Sequence, residues 1–170
     1  LFLVNDRRAK LLAEQLRAAL PTQERLPLRL ALARELLNAG QIEESVQAID
    51  ALEEDAKANA PMVWDAQRRA FEVLRATAYL RMGEVQNCHQ GNTRDSCLLP
   101  LRGEGIHRRK EGSTRASEVL ARVLDDDPDD LQARWLLNIA HMTLGTYPEG
   151  VPRRHLIPPA AFESAYPLPR

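Results

Sequence analysis

Apolar residues along this chain recur at three- and four-residue spacing, and a glycine or a proline closes each run. Leu28, Leu32, Leu36 and Leu37 form a stripe that ends at Gly40, and Ile42, Val46, Ile49 and Leu52 form the next. From Pro61 onward, Val63, Trp64, Phe71, Leu74 and Tyr79 carry the pattern to Gly83. Ala116, Val119, Leu120, Val123 and Leu124 lead to Asp127-Pro128-Asp129-Asp130, and Trp135, Leu136, Ile139 and Ala140 lead to Gly145. Such spacing places each set on one face of an α-helix, and no window shows the sustained alternation of a half-buried strand. The pattern predicts an all-α fold of six or seven helices. A further helix from about Asn5 to Leu20 is expected to cover the open end of the first pair. Pro148, Pro152, Pro158 and Pro159 oppose a regular helix near the end. Residues 1–150 therefore read as the helical domain, and 151–170 as an extended tail that runs back across the helices, towards a further domain.

With Gly40, Gly83 and Gly145 aligned as turn glycines, Ala33 and Ala76 fall at one small-residue position of the first helix of a pair, where Asn138 departs. Ser45 and Ala116 fall at the small position of the second helix, and Pro128 ends a repeat. Helix pairs on a period of about 34 residues with such small positions resemble tetratricopeptide repeats. Small side chains there let two helix backbones approach. The resemblance implies a solenoid of helix pairs with a ligand groove lined by the first helices. In this register the groove holds Leu30, Arg34, Leu37 and Asn38, then Val73, Thr77, Leu80 and Arg81, then Trp135, Ile139 and Met142. It is mixed in character and lacks the full Lys/Asn/Arg set of the carboxylate-clamp subfamily. Trp135 is expected to be at least partly shielded, because Leu136, Leu137 and Ile139 occupy most of its helix's circumference.

The second pair is interrupted. Residues 87–113, with Gly91, Pro100, Gly103, Gly105 and Gly112, read as a long irregular insert. Loops of this length inside compact domains are uncommon and usually functional or disordered. The insert holds both cysteines, Cys88 and Cys97, with eight residues between them. Three readings are open: a disulfide, two free thiols, or a metal site with His89 or His107. Zinc ligands pair at two-to-four-residue spacing, which this pair lacks. His107 stands in a glycine-flanked loop before Arg108, Arg109 and Lys110, either as a structural ring or as an anion-contacting edge.

Composition narrows the function classes. Net charge is −1 across 170 residues, which argues against bulk electrostatic binding to nucleic acid. No stretch is long and apolar enough for a membrane span, and Leu1-Phe2-Leu3-Val4 are too few for a signal peptide. The chain begins without methionine, which reads as a mature product or an excised piece. No nucleophile elbow, paired-histidine zinc motif or phosphate loop occurs. Asp125-Asp126-Asp127 with Asp129 and Asp130 lacks the alternate spacing of a calcium loop and reads as a solvated turn. Glu43, Glu44, Glu53, Glu54 and Asp55 read as a solvated helix face. No catalytic residue, cofactor or metal is expected.

From Asn87 through Cys97, Pro100, Gly103, Gly105, His107, Gly112 and Ser113, then Pro128-Asp129-Asp130, Arg134 to Ala140, Tyr147-Pro148, Ile157-Pro158-Pro159 and Phe162-Glu163-Ser164, the chain resembles one family. It is similar to the N-terminal helical-repeat region of bacterial proteins related to cartilage acidic protein, in which an FG-GAP (VCBS) β-propeller and an ASPIC/UnbV domain follow. The resemblance covers about half of the chain and implies export to the periplasm, the cell surface or outside. It implies a non-catalytic binding or scaffolding module whose partner is a protein or peptide. The alternatives are an adaptor that packs against its own downstream propeller, and an accessory domain in an enediyne-type pathway. Export also favours a Cys88–Cys97 disulfide, since such bonds persist in oxidising compartments. A loop of that size gains about 2.7 kcal/mol in chain entropy. Mass spectrometry of unreduced protein is expected to show the two cysteines joined; two freely alkylated thiols would exclude the bond and the inference of export.

Overall fold

The computed structural model describes residues 4–163 apart from 92, 94 and 97, and not the side chains of 89 and 90. Six α-helices follow one another: α1 Asn5–Gln15, α2 Thr22–Asn38, α3 Ile42–Asn59, α4 Pro61–Gly91, α5 Glu111–Asp126 and α6 Leu131–Leu144. Short 3-10 turns occupy Gly103–Gly105, Arg153–His155 and Pro159–Phe162, and there is no strand among the described residues. The fold is all-α and repeat-like. The chain divides into two compact units, Leu1–Met82 and Gly83–Arg170, with the division inside α4.

In the first unit, α1 is shorter than expected and packs on α2 through Ala9 and an Arg8–Glu35 ion pair of 2.6 Å. α2 begins at Thr22, before Pro27, whose ring forfeits only one early backbone hydrogen bond. Gly40 turns α2 into α3 with φ +77°, a conformation costly for residues with a Cβ. Ala33, Ser45 and Ala76 are all fully buried. The Ser45 hydroxyl donates to the Ala33 carbonyl at 2.9 Å, so the small positions close-pack α2 and α3 and also satisfy the buried polar atom. Leu26, Leu52, Ala56 and Phe71 form one core cluster, with Trp64 stacked on Phe71 at 5.9 Å. Ala33, Ile49 and Ala78 form a second, flanked by Leu37, Val46 and Leu74. Arg75 of α4 ties to α3 through Asp50 and through Glu53 at 2.5 Å.

Three expectations are corrected here. Asp55 is not on a solvated face: it is 8% exposed. The Arg25 guanidinium grips both of its oxygens at 2.6 Å, Arg29 adds a contact at 2.9 Å, and the Asn59 amide a fourth at 2.8 Å. Its two arginine partners lie 26–30 residues upstream, so charge clustering along α3 did not show them. Gly83 is not a turn. α4 runs straight through it, and it has no positive φ. A Cβ there would stand 3.3 Å from His107 Nδ1 and 3.4 Å from Ser113 Oγ, so the glycine serves close approach. The irregular stretch is correspondingly shorter than 87–113, because α4 continues to Gly91 and α5 starts at Glu111.

In the second unit, α5 and α6 pack through Ala116, Leu120, Val123 and Leu124 against Ala133, Leu137 and Ala140, all at 2% exposure or less. Asp130 caps α6 by accepting the Ala133 N–H, and Asp127 accepts from the Asp129 N–H. The aspartate run is thus cap and turn chemistry. α6 ends at Gly145, φ +74°, as the glycine alignment predicted.

Arg25, Asn59 and burial act on Asp55 in opposition: the Arg25 hydrogen bonds, joined by those of Asn59 and Arg29, hold its pKa well below the usual carboxylate value, while burial opposes them. A carboxylate with a depressed folded pKa contributes stability above its unfolded value, near 3.9, and loses it on acidification below that. Asp55→Ala is expected to cost about 2 kcal/mol in urea unfolding at neutral pH, where three donors lose their acceptor. The gap between variant and parent is expected to begin narrowing near pH 4 and to go on narrowing as the pH falls further towards the depressed folded pKa.

Candidate functional site

Beyond α6 the chain turns back on itself. Tyr147, Val151 and the Arg153–His155 turn bring residues 155–157 along α6, where three side chains receive the backbone. The Asn138 amide donates to the His155 carbonyl at 2.9 Å and to the Arg134 carbonyl at 2.8 Å, while its oxygen accepts the Ile157 N–H at 3.0 Å. The Arg134 guanidinium donates to the His155 carbonyl at 3.2 Å and to the Leu156 carbonyl at 2.9 Å. The Tyr147 hydroxyl donates to the Ile157 carbonyl at 2.7 Å. Extended backbone beside a helix must send its polar groups to side chains, and these three meet that need. Phe162 closes the segment, with its ring 5.7 Å from Trp135 and edge-on to Tyr147 at 6.2 Å.

Asn138 occupies the position where the first two helix pairs carry alanine. Its departure from the small-residue rule was visible in the sequence; its use as a backbone clamp was not, because the partner lies 17–19 residues downstream. Arg134 and Tyr147 were missed for the same reason.

The expected groove residues fall in both units. In the first, Arg34, Asn38 and Arg81 are exposed, Leu30 and Thr77 half-buried, and Val73 is buried at 5%. In the second, Met142 is fully buried, Ile139 half-buried, and Trp135 is 42% exposed with one side against Phe162. Val73 and Met142 are therefore core residues and not groove lining, because the register that aims one helical residue at a groove also turns its neighbours inward. Trp135 is exposed and not shielded by its helix as the apolar neighbours suggested; its one ring contact is with Phe162 of the tail and covers only part of it.

The insert is anchored at its second end. Asn87 Oδ1 accepts the Arg108 and Arg109 N–H groups at 2.8 and 2.9 Å, and its Nδ2 donates to the Gly83 and Arg109 carbonyls. The His107 N–H donates to the Thr143 carbonyl, and its ring Nδ1 lies 3.3 Å from Ser113 Oγ. Thr143 Oγ1 lies 2.8 Å from both Ser113 Oγ and the Ala140 carbonyl. Lys110 Nζ reaches the Leu144 carbonyl at 2.8 Å, on the negative end of α6. Burial lowers the His107 pKa, against a small upward pull from Glu84, and lowers that of His141, which pairs with Thr146. His107 is 7% exposed and Ser113 fully buried, so this cluster holds the loop. A cavity of about 340 Å³ opens between the end of α4 and the insert, lined by Cys88, Thr93, Ser96, Glu104 and His107 among others. Cys97, the expected partner of Cys88, lies outside the described residues, as does the side chain of His89.

Asn138→Ala removes both ends of the clamp on residues 155–157. It is expected to destabilise the chain by about 1–2 kcal/mol in urea unfolding, since the half-buried Ile157 N–H loses its acceptor and the buried His155 carbonyl keeps only Arg134. No change in midpoint would show that the tail contributes nothing to the fold. No family model matches the chain, and neither curated proteins nor solved structures give a match.

Proposed function

We propose that this chain is a non-catalytic binding and scaffolding module, built on tetratricopeptide-like helix pairs, that holds extended polypeptide against the first helix of a pair. The observation that carries this reading is the Asn138 clamp: one amide takes the carbonyl of residue 155 and the N–H of residue 157, as a peptide-binding helix takes a ligand backbone. In the second unit the occupant is the chain's own tail. In the first unit Arg34, Asn38 and Arg81 remain exposed on α2 and α4 for a protein or peptide partner. No helix among the described residues is long and apolar enough to cross a membrane. An exported setting rests on the family resemblance alone.

A second reading, a structural adaptor for a further domain of the same polypeptide, is favoured by Leu131 and Trp135. They stand one turn apart on α6 at 76% and 42% exposure, beside the docked tail. A screen of the intact chain against a display library of extended peptides separates the two. The binding reading expects enriched peptides whose affinity falls at least about tenfold, 1.4 kcal/mol, in Arg34→Ala or Arg81→Ala. A library that yields no enriched peptide would remove it in favour of the adaptor.

A further inference from the structure

His155 is 2% exposed, and neither ring nitrogen has a hydrogen-bond partner among the described residues. This is an unusual place for an imidazole, because a buried N–H or lone pair without a partner costs stability. Its own backbone is the most heavily held point of the tail, since its carbonyl accepts from both Arg134 and Asn138 and its N–H donates to the Pro152 carbonyl. The ring is therefore locked in position by its main chain while its own polar atoms are left unmet.

Among the described residues, two cations and one anion act on its charge. Arg134 comes from α6, Arg154 from the same turn, and Asp125 from α5. Asp125 is already engaged by Arg154 at 2.6 Å, so it is shared between that arginine and any new charge. A proton on His155 would add a third positive charge to this group, in a site without an acceptor for the imidazolium N–H groups. The neutral ring is stabilised chiefly by burial, then by Arg154 and Arg134, with Asp125 opposing. In the released tail the imidazole returns to water and to an ordinary pKa near 6.5. The docked tail thus binds fewer protons than the released tail. Docking is at full strength above about pH 6.5 and weakens as pH falls below it, by at most about tenfold per pH unit.

We propose that residues 153–162 form a pH-gated strap, in which protonation of His155 releases the tail from α6 and uncovers the Arg134–Asn138 face for another extended segment. The proposal rests on the reading of α6 as a peptide-holding face. Its readout does not, because it concerns only the chain's own tail.

NMR on the intact chain tests it, following two signals between pH 7.5 and 5.0. One is the protonation state of the His155 ring, from its carbon and proton shifts. The other is the protection of the Ile157 amide against hydrogen exchange, corrected for the intrinsic rate, with the buried Leu120 amide of α5 as reference. Ile157 protection is expected to fall by up to about 30-fold over this range as the released tail takes up a proton on His155, while Leu120 stays protected. His155→Gln, neutral at every pH, is expected to hold Ile157 protection within about threefold across the range. Three results overturn the proposal: Ile157 equally protected at both ends, a docked His155 ring that titrates at or above about 6.5, or a loss that persists in His155→Gln. A failed peptide screen with a positive result here would reject the binding reading and leave the strap standing.

Discussion

A polypeptide that leaves a helix and doubles back along it carries an unpaired N–H or C=O at nearly every residue, and helix surfaces offer no backbone partners in return. The second unit depends on how that demand is met. Asn138 has one acceptor and two donors, and all three are used: two on the tail and one on the preceding turn of its own helix. Arg134 and Tyr147 complete the set on either side. With these bonds in place, Val151 and His155 can be buried and Phe162 can reach Trp135. An apolar residue at 138 would leave the Ile157 N–H without its acceptor and the His155 carbonyl with Arg134 alone.

The first unit solves a related problem with charge. α2 and α3 close-pack at Ala33 and Ser45, near the turn, where small side chains suffice. At the far end of the pair Asp55 accepts from Arg25, Arg29 and Asn59 together. A buried carboxylate is tolerable only when its lone pairs are taken, and here four contacts take them. The two ends of one helix pair are thus fastened by different means, apolar contact near Gly40 and a multi-donor ion cluster opposite.

Periodicity made the helical class and most of the core legible, because burial of one face imposes a spacing whatever the partner. Gly40 and Gly145 were legible as helix ends, since each carries the positive φ that glycine permits. Gly83 was not. A glycine needed for smallness looks the same in sequence as one needed for flexibility, and only the ring of His107 and the hydroxyl of Ser113 opposite it tell them apart. Asp55 and Asn138 show the wider limit. Each was noticed, one as part of an acidic run and the other as a break in a small-residue rule, yet their meaning lies in partners 17 to 30 residues away. His107 was left open between a structural ring and an anion-contacting edge, and the groups that hold it, Thr143 and Ser113, lie on other elements.

The anchoring of the insert bears on how freely this region can diverge. Asn87 at one end and His107 with Lys110 at the other fix where the loop leaves α4 and where it rejoins the helices. Next to the second foot, the Ile106 side chain lies against Gly145 at the end of α6. Doubling a loop's length adds only about 0.6 kcal/mol of closure entropy. A change of length between the two feet therefore adds little closure entropy, and a reporter peptide inserted there is expected to leave the buried contacts of α5 and α6 in place.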